Sequence, residues 1–320
     1  MKWSISAHHC FRRCQRQYYF SEIMASHNAN DEKRQEAYIL RKLKSLPAWR
    51  GSLFDKGIEL FVIPTLKNSK QIDWEWVAGQ ALELARRQLA FSKAKKYHYV
   101  SQSAAGEEFC ALFPHENGLS VSSEELKEVF EHIVRCFENL GRQTEFVDYL
   151  WQRKWYGVQI PLSFSLDGVT VAARPDLLFF RGKGQLTIVE WKTGVNETSY
   201  HRPQLLVYAL AACRKWPDVK LEELEICEAN LMKNEIQRNH VTEKDLLQIE
   251  DFIFLSISEI KALTRGEGFS EQHLEDYEFA NNPNTCQYCS FRQLCLEVVS
   301  EDASNQFIRD SEPVQLELPL

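Results

Sequence analysis

Residues 174–192 read RPDLLFFRGKGQLTIVEWK, and this stretch contains the features that decide the fold. Asp176 enters one apolar strand, and a Gly-rich turn at residues 181–184 leads into a second. Glu190 and Lys192 lie two positions apart on that second strand, so their side chains project from the same face. The sequence therefore predicts a hairpin that brings the carboxylates of Asp176 and Glu190 close together.

Two carboxylates at the end of a buried strand repel each other, and such a pair is typically held together by a divalent cation. Mg²⁺ prefers oxygen ligands and keeps several waters, which leaves room for a phosphate and an attacking water. The ion would lower the pKa of that water, and Lys192 would orient it or stabilise the transition state. Taken alone the pattern is weak, because an exposed Asp and a cross-strand Glu–Lys pair are common on ordinary sheets.

The residues around this hairpin alternate between strand and helix periodicities. Strands are predicted at 158–164, 169–173, 176–180, 186–191 and 224–231. Helices are predicted at 204–215 and 241–263, and further helices fill much of the chain before residue 151. This order predicts an α/β fold with a mixed sheet core and helices on its faces.

Composition limits the class of protein further. The chain has 320 residues, a net charge of -7 and 44% hydrophobic residues, which suits one large or two small domains. No apolar run is long enough to cross a membrane and no signal-peptide core is present, so we expect a cytoplasmic protein without membrane association. Nine cysteines, an odd number in a reducing compartment, favour a metal site over disulfides.

The hairpin motif and the helix that follows it resemble the RecB-like branch of the PD-(D/E)XK nuclease superfamily. The matching pattern is Pro-Asp, then Glu-x-Lys, then a Gln and a Tyr one helical turn apart. The resemblance implies a restriction-endonuclease-like fold, a DNA substrate and Mg²⁺ or Mn²⁺ as cofactor. It implies catalytic roles for Asp176, Glu190, Lys192, Gln204 and Tyr208. It implies metal-site positions for Asp55, Asp176, Glu190 and Trp191.

Asp55 is a departure from the pattern of that branch. The branch carries Gly-x-x-x-His near its N-terminus, whereas this chain reads GSLFD over residues 51–55. A carboxylate binds Mg²⁺ at least as well as imidazole does, because hard cations prefer oxygen. The alternative is an altered or weakened site, and Glu59, one turn later, is a second candidate ligand.

A cysteine cluster near the C-terminus has the spacing C-x2-C-x5-C, formed by Cys286, Cys289 and Cys295. Zinc and iron–sulfur clusters both bind thiolates, and a fourth ligand must come from elsewhere in the chain. Cys14, between Phe11 and an aromatic run, resembles the N-terminal cysteine of iron–sulfur RecB-like nucleases such as the AddB nuclease domain and CRISPR-associated spacer-acquisition exonucleases. The usual proline after that cysteine is Gln15 here.

That resemblance implies a [4Fe–4S] cluster that ties the two ends of the chain together. Its ligands would be Cys14, Cys286, Cys289 and Cys295. Cys10, one helical turn before Cys14, remains the rival fourth ligand, and a zinc site remains the alternative metal centre.

The C-terminal tail ends in QLELPL, residues 315–320, after an acidic stretch. It resembles the short peptide by which bacterial proteins bind the replicative sliding clamp, and such a flexible segment can fold on binding. The anchors would be Gln315, Leu316, Leu318 and Leu320. An ordinary disordered end is the alternative.

These patterns predict five regions. They are an N-terminal helical element (1–64), a helical insert (65–150), the nuclease core (151–265), the cysteine region (266–300) and a flexible acidic tail (301–320). The predicted function is a metal-dependent DNA exonuclease acting on ends or single strands in repair, recombination or defence, with a helicase as a candidate partner. The alternatives are a non-catalytic DNA-binding or helicase-partner scaffold, a CRISPR spacer-processing nuclease and a zinc-stabilised interaction module.

Overall fold

The computed structural model describes residues 1–68, 70–151, 155–194, 201–265 and 268–297. The chain divides into two compact units. The first combines Met1–His9 with Leu43–Gly266, and the second combines Cys10–Lys42 with Glu267–Leu320.

Two sheets organise the first unit. The larger has five strands in the order β2-β5-β6-β7-β8, and the smaller has three in the order β1-β4-β3. In the larger sheet β5 and β6 are antiparallel while β6 and β7 are parallel, so the sheet is mixed. The strands are β1 Lys2–Trp3, β2 Gly157–Val158, β3 Leu162–Leu166, β4 Val169–Ala173, β5 Leu177–Gly182, β6 Gln185–Lys192, β7 Glu225–Asn230 and β8 Glu235–His240.

Helices account for most of the remaining described residues. The α-helices are α1 Ile5–Arg13, α2 Gln15–Tyr18, α3 Glu32–Leu40, α4 Leu46–Gly57, α5 Ile63–Lys67, α6 Trp74–Lys93, α7 Gln102–Ala105, α8 Phe113–Glu116, α9 Ser123–Arg142, α10 Thr144–Trp151, α11 His201–Lys215, α12 Glu243–Thr264 and α13 Pro283–Gln287. Tyr19–Met24 and Ile58–Val62 are π-helical. Short 3₁₀ segments are Lys96–His98, Gly106–Glu108, Leu221–Glu223, Phe269–Glu271 and Leu274–Asp276.

Local sequence signals explain where α9 and α12, two of the three longest helices in the described ranges, begin. The side chain of Ser122 caps α9, and Glu125 returns the hydrogen bond to the Ser122 backbone. Thr242 and Asp245 form the same reciprocal capping box at the start of α12. A capping box satisfies two backbone N–H groups that would otherwise have no partner at a helix start.

The helices of residues 65–150 share one hydrophobic core with the larger sheet. Phe137 of α9 stacks on Phe54 of α4 at 4.7 Å between ring centroids, and Phe54 in turn meets the Trp191 ring of β6 edge-on at 6.0 Å. Gly57 lets these helices approach, because a Cβ at this position would stand 2.4 Å from the Phe137 ring. The opposite face of the sheet is covered by α11, which packs on β6 and β7 and also on β3 and β4.

The observed α/β architecture, a mixed sheet flanked by helices, confirms the predicted fold class at that level. Two details of the prediction are wrong. The single strand predicted at 158–164 is two strands in different sheets, because the chain bends at Gln159 and Pro161 follows. The strand β8 was not predicted, because its side chains lie largely exposed at the sheet edge and carry no apolar alternation.

The second unit joins a segment near the N-terminus to one near the C-terminus through aromatic contacts. Phe20 stacks on Phe291 at 5.7 Å, and Tyr19 meets Tyr277 at 5.0 Å. The Arg16 guanidinium lies 3.7 Å from the centroid of the Phe279 ring. None of the helices in the described ranges is long and apolar enough to cross a membrane.

Candidate active site

The β5–β6 hairpin brings the predicted carboxylates together. Leu177 pairs with Val189 in the antiparallel register, so Asp176 and Glu190 face each other one position further along the two strands. The neighbouring residues Val189 and Trp191 contribute to the core formed with the helices of residues 65–150. Because successive side chains alternate between faces, Glu190 projects to the face that α11 covers.

A hydrogen-bonded chain connects the hairpin to α11. Lys192 Nζ donates to Glu190 Oε1 at 2.9 Å and to Gln204 Oε1 at 3.3 Å. Gln204 Nε2 donates to the same Glu190 oxygen at 2.8 Å and lies 2.6 Å from the Tyr208 hydroxyl. The structure thus brings together Glu190, Lys192, Gln204 and Tyr208, as the sequence predicted.

Asp176 is held by two donors at its two carboxylate oxygens. The backbone N–H of Trp191 donates to Oδ2 at 3.0 Å, and Gln159 Nε2 donates to Oδ1 at 2.7 Å. The N–H and C=O of one strand residue point to the same edge of the strand. The carbonyl of Trp191 therefore faces the Asp176 side of β6.

The electrostatics of the carboxylates are unfavourable in the absence of a cation. Burial, and then the neighbouring Asp176 charge, raise the pKa of Glu190 well above its ordinary value. Burial also raises the pKa of Asp176, although hydrogen bonds with the Trp191 backbone, Glu190 and Gln159 and the Lys192 charge act against the rise. Oε2 of Glu190 is buried and has no hydrogen-bond partner among the described residues. Such an atom is costly, and a bound cation would satisfy it.

Asp55 of α4 lies close enough to Asp176 for the two charges to interact. Burial, followed by repulsion from Asp176, raises the pKa of Asp55 well above its ordinary value, while Lys44 and Lys192 lower it. Gly51, one turn earlier on α4, lies beside Thr193, since a Cβ there would stand 3.6 Å from its hydroxyl. The segment that replaces the expected Gly-x-x-x-His element therefore reaches the end of the hairpin. Glu59, the other candidate ligand, instead pairs with Lys56 at 2.7 Å.

These residues fit a divalent cation by their chemistry. The donor set consists of carboxylate oxygens, which hard cations prefer, and one of those oxygens is buried with no partner among the residues that the structure describes. In the described part of the chain, no three His, Cys, Asp or Glu side chains already have the arrangement of a formed metal site.

Sequence reasoning missed two residues of this site. Gln159 donates to Asp176 across the β2–β5 pair, and Lys44 lies near Asp55 with its Nζ 2.7 Å from Ser52 Oγ. Burial lowers the pKa of Lys44. Neither residue is part of a recognisable sequence motif. The pairing of β2 with β5 places Gln159 at the site, and the β-bridge between Lys44 and Leu112 positions Lys44.

The four predicted cluster cysteines all belong to the second unit. The pKa of Cys289 is raised to about 11 by burial and then by the nearby thiols of Cys14, Cys295 and Cys286. Cys10 makes a different contact, 3.8 Å from Ser21 Oγ. The predicted clamp-binding tail lies outside the described residues.

One comparison with known proteins identifies the superfamily of the chain. The family model of the PD-(D/E)XK nuclease superfamily matches residues 2–296, so the chain belongs to this superfamily. The superfamily predicted from the sequence is thereby confirmed. The match does not resolve the RecB-like branch or the iron–sulfur cluster.

Curated proteins give no match to the chain. Among solved structures, a protein from Eubacterium rectale that is provisionally named an exonuclease has 11% identity and a TM-score of 0.35, over 75% of this chain and 87% of that one. The protein SSO0001 has 13% identity and a TM-score of 0.27, over 57% of this chain and 77% of that one. Neither likeness bears on the function of this chain.

Proposed function

We propose that this chain is a divalent-metal-dependent DNA nuclease, an exonuclease that acts on DNA ends or single strands in repair, recombination or defence. The observation that carries the proposal is Oε2 of Glu190, which is buried beside the carboxylate of Asp176 and has no hydrogen-bond partner in the described part of the chain. Two buried carboxylates that repel each other destabilise the folded protein. In a nuclease they would instead serve to bind the metal ion that the reaction needs.

The proposed ligands of Mg²⁺ or Mn²⁺ are Asp55, Asp176, Glu190 and the carbonyl of Trp191. When bound, the ion would lower the pKa of an attacking water and neutralise charge on the phosphate. Asp176 and Glu190 contribute the negative charge that binds it. Their mutual repulsion is the reason that the site favours a cation.

Lys192 is the proposed catalytic lysine. Its ammonium is held by Glu190 and Gln204, which leaves one of its three donors for a water or a phosphate oxygen. Gln204 fixes the position of Lys192 and Glu190 at once, and the Tyr208 hydroxyl holds Gln204. A lysine positioned in this way orients the attacking water or stabilises charge that develops in the transition state.

The test is digestion of end-labelled single- and double-stranded DNA by anaerobically purified protein, with Mg²⁺, Mn²⁺ or EDTA. Wild type is expected to release labelled nucleotides only with metal, and Glu190→Ala and Lys192→Ala to release none. Covalently closed circular DNA is the control for end dependence. DNA left equally intact by wild type and both variants would overturn the proposal, and cleavage of closed circles would replace exonuclease by endonuclease.

The proposed second cofactor is a [4Fe–4S] cluster bound by Cys14, Cys286, Cys289 and Cys295. The electrostatic coupling of these thiols within one compact unit supports it. Arg16 interacts with Cys295 and would balance part of the negative charge of a cluster. Thiolates at these positions also suit zinc, which is colourless.

Iron and sulfide content and the visible spectrum of anaerobically purified protein distinguish the two metals. Cys14→Ser is expected to lose the brown colour, and Cys10→Ser is the matched control because it lies one turn away and contacts Ser21 instead. Loss of colour in Cys10→Ser but not in Cys14→Ser would reverse the assignment. If the wild-type protein is colourless and contains zinc, the proposal of an iron–sulfur cluster is refuted.

Asp55 in the position of the expected His favours one alternative, a non-catalytic DNA-binding or helicase-partner scaffold. If Asp55 is a ligand, Asp55→Ala loses cleavage. If the site has decayed, Asp55→His raises cleavage from a negligible level. Spacer processing in CRISPR adaptation remains a narrower form of the nuclease proposal, and neighbouring genes would test it.

The proposed protein partners are a helicase and the bacterial sliding clamp. The clamp proposal rests on Gln315, Leu316, Leu318 and Leu320 of the tail. Fluorescence anisotropy with a labelled peptide of residues 310–320 and purified clamp would test it. Gln315→Ala is expected to abolish binding, and equal binding by both peptides would refute the motif.

A further inference from the structure

Gln159 occupies an unusual backbone conformation opposite Asp176. Its φ of +51° lies in the left-handed region, which glycine adopts freely and a long side chain rarely does. The residue directly follows β2, whose Val158 pairs with Leu177. Gln159 therefore stands at the point where the ladder between β2 and β5 reaches Asp176.

Two hydrogen bonds join this one residue to Asp176. The backbone N–H of Gln159 donates to the Asp176 carbonyl at 3.1 Å, and its side-chain Nε2 donates to Oδ1 at 2.7 Å. The backbone hydrogen bond fixes the position of the Gln159 Cα, and from there the side-chain amide reaches the Asp176 carboxylate. An ordinary extended residue would send its side chain elsewhere and continue the strand.

The strained backbone at Gln159 indicates a function, because other residue types would adopt this conformation at lower energetic cost. Glycine would make the same turn without steric cost, and asparagine tolerates it better than glutamine does. Strained conformations of this kind concentrate at functional sites, where the surrounding structure enforces them. Here the strain yields a donor on Oδ1, while the Trp191 N–H holds Oδ2.

Resting on the proposed function, we propose that Gln159 is a positioning residue that fixes the Asp176 carboxylate in the orientation in which it binds the divalent cation together with Glu190. Groups that orient metal ligands through hydrogen bonds typically contribute about 10–100-fold in metal affinity or activity. Gln159 acts through Asp176 and does not itself touch the cation or the DNA.

The decisive variant is Gln159→Gly, because it removes the amide donor to Asp176 and the left-handed strain together. Relief of the strain stabilises the fold, whereas the loss of the donor to Asp176 Oδ1 destabilises it, so the melting temperature changes little. Loss of the amide weakens Mn²⁺ binding about tenfold, measured by calorimetry on the DNA-free protein. The Mg²⁺ concentration for half-maximal cleavage rises in parallel.

Asn234→Gly is the matched control. Asn234 also has a left-handed φ, +57°, and its Oδ1 accepts a hydrogen bond from Gln143 Nε2 at 2.9 Å in the turn between β7 and β8. The substitution removes the same kind of strain and one amide hydrogen bond. Its Mn²⁺ affinity is expected to equal that of wild type.

Unchanged Mn²⁺ affinity in Gln159→Gly would overturn the proposal, as would an equal loss in both variants or a wild type that binds no Mn²⁺. A large fall in melting temperature with wild-type Mn²⁺ affinity would show a structural role only. Binding is measured without DNA, so wild-type protein that binds Mn²⁺ but cleaves nothing would refute the nuclease proposal and leave this one standing.

Discussion

Two buried glutamates on neighbouring strands of the larger sheet have pKa values that are shifted in opposite directions. Glu190 of β6 is 6% exposed and Glu225 of β7 is 8% exposed. Burial alone would raise the pKa of Glu225, but hydrogen bonds from Tyr149 and Arg238 hold it below its ordinary value. Burial and the neighbouring Asp176 instead raise the pKa of Glu190 well above its own.

The partners account for the difference. Glu225 Oε2 accepts from the Tyr149 hydroxyl at 2.7 Å and from Arg238 at 3.0 Å, and the Arg238 guanidinium also stacks on the Tyr149 ring. Glu190 Oε1 accepts hydrogen bonds from both Lys192 and Gln204, whereas Oε2 has no hydrogen-bond partner within the described ranges. A buried carboxylate with all its partners in the chain stabilises the fold, whereas one with an unfilled position is suited to bind something else.

The largest expected effect is on cleavage by Glu190→Gln. The substitution keeps the shape of the side chain and removes the charge that would hold the ion. We expect the rate of DNA cleavage to fall by about 10³-fold or more. Single-turnover digestion at saturating Mg²⁺ measures it, and a rate within about tenfold of wild type would contradict the role of Glu190.

The second prediction concerns Glu225→Ala, which leaves the Arg238 charge and the Tyr149 hydroxyl without their buried partner. Because the Arg238 side chain is exposed, the loss of its partner costs only about 2 kcal/mol, which lowers the melting temperature by roughly 4–8 °C in a domain of this size. Thermal melts followed by circular dichroism measure the loss. Cleavage per folded molecule is expected to remain at the wild-type level, and a selective loss of activity would break the distinction between the two glutamates.

Of these two glutamates, only Glu190 should contribute to the stabilisation of the protein by a bound metal ion. An ion at a hundred times its dissociation constant contributes about 2.7 kcal/mol if it binds the folded state alone. Mg²⁺ or Mn²⁺ is therefore expected to raise the melting temperature of wild type and of Glu225→Ala by similar amounts. Glu190→Gln is expected to show little rise, and an equal rise in all three would place the ion elsewhere.

The smallest predicted effect is a pH dependence in EDTA. A carboxyl whose folded pKa is raised stabilises the fold below its unfolded pKa, about 4.3 for Glu, and this contribution is lost as pH rises through the folded pKa. Metal-free Glu190→Gln is therefore expected to be more stable than wild type by about 1–3 kcal/mol at pH 8. The difference should shrink as pH falls toward 4, and melts across that range would detect a trend of the opposite sign.

Much of the candidate site could be predicted because it follows local periodicities. A two-residue repeat puts Glu190 and Lys192 on one face, and a four-residue helical spacing puts Gln204 and Tyr208 on one side of α11. The turn at 181–184 makes β5 and β6 a hairpin, so their carboxylates meet without any long-range information. The structure brings these four side chains together at 2.6–3.3 Å.

Contacts that depend on strand order and on packing between distant segments could not be predicted from the sequence. The sequence around Gln159 predicts a continuing strand, and only the pairing of β2 with β5 turns the residue toward Asp176. The edge strand β8 was not predicted for a related reason, since its exposed side chains show no alternation of apolar and polar residues. Lys44 reaches Asp55 only because the segment before α4 lies beside residues 111–113.

The sequence by itself determined the β-hairpin with its Asp, Glu and Lys, the helix that follows it, and the superfamily to which the chain belongs. Tertiary structure decided which carboxylates are satisfied and which are not. The physical reason is that periodicity places a side chain on a face, whereas its charge state depends on every donor that other strands and helices bring within hydrogen-bond distance. Glu190 and Glu225 are the same residue type in the same sheet, and only their neighbours distinguish a proposed metal ligand from a structural ion pair.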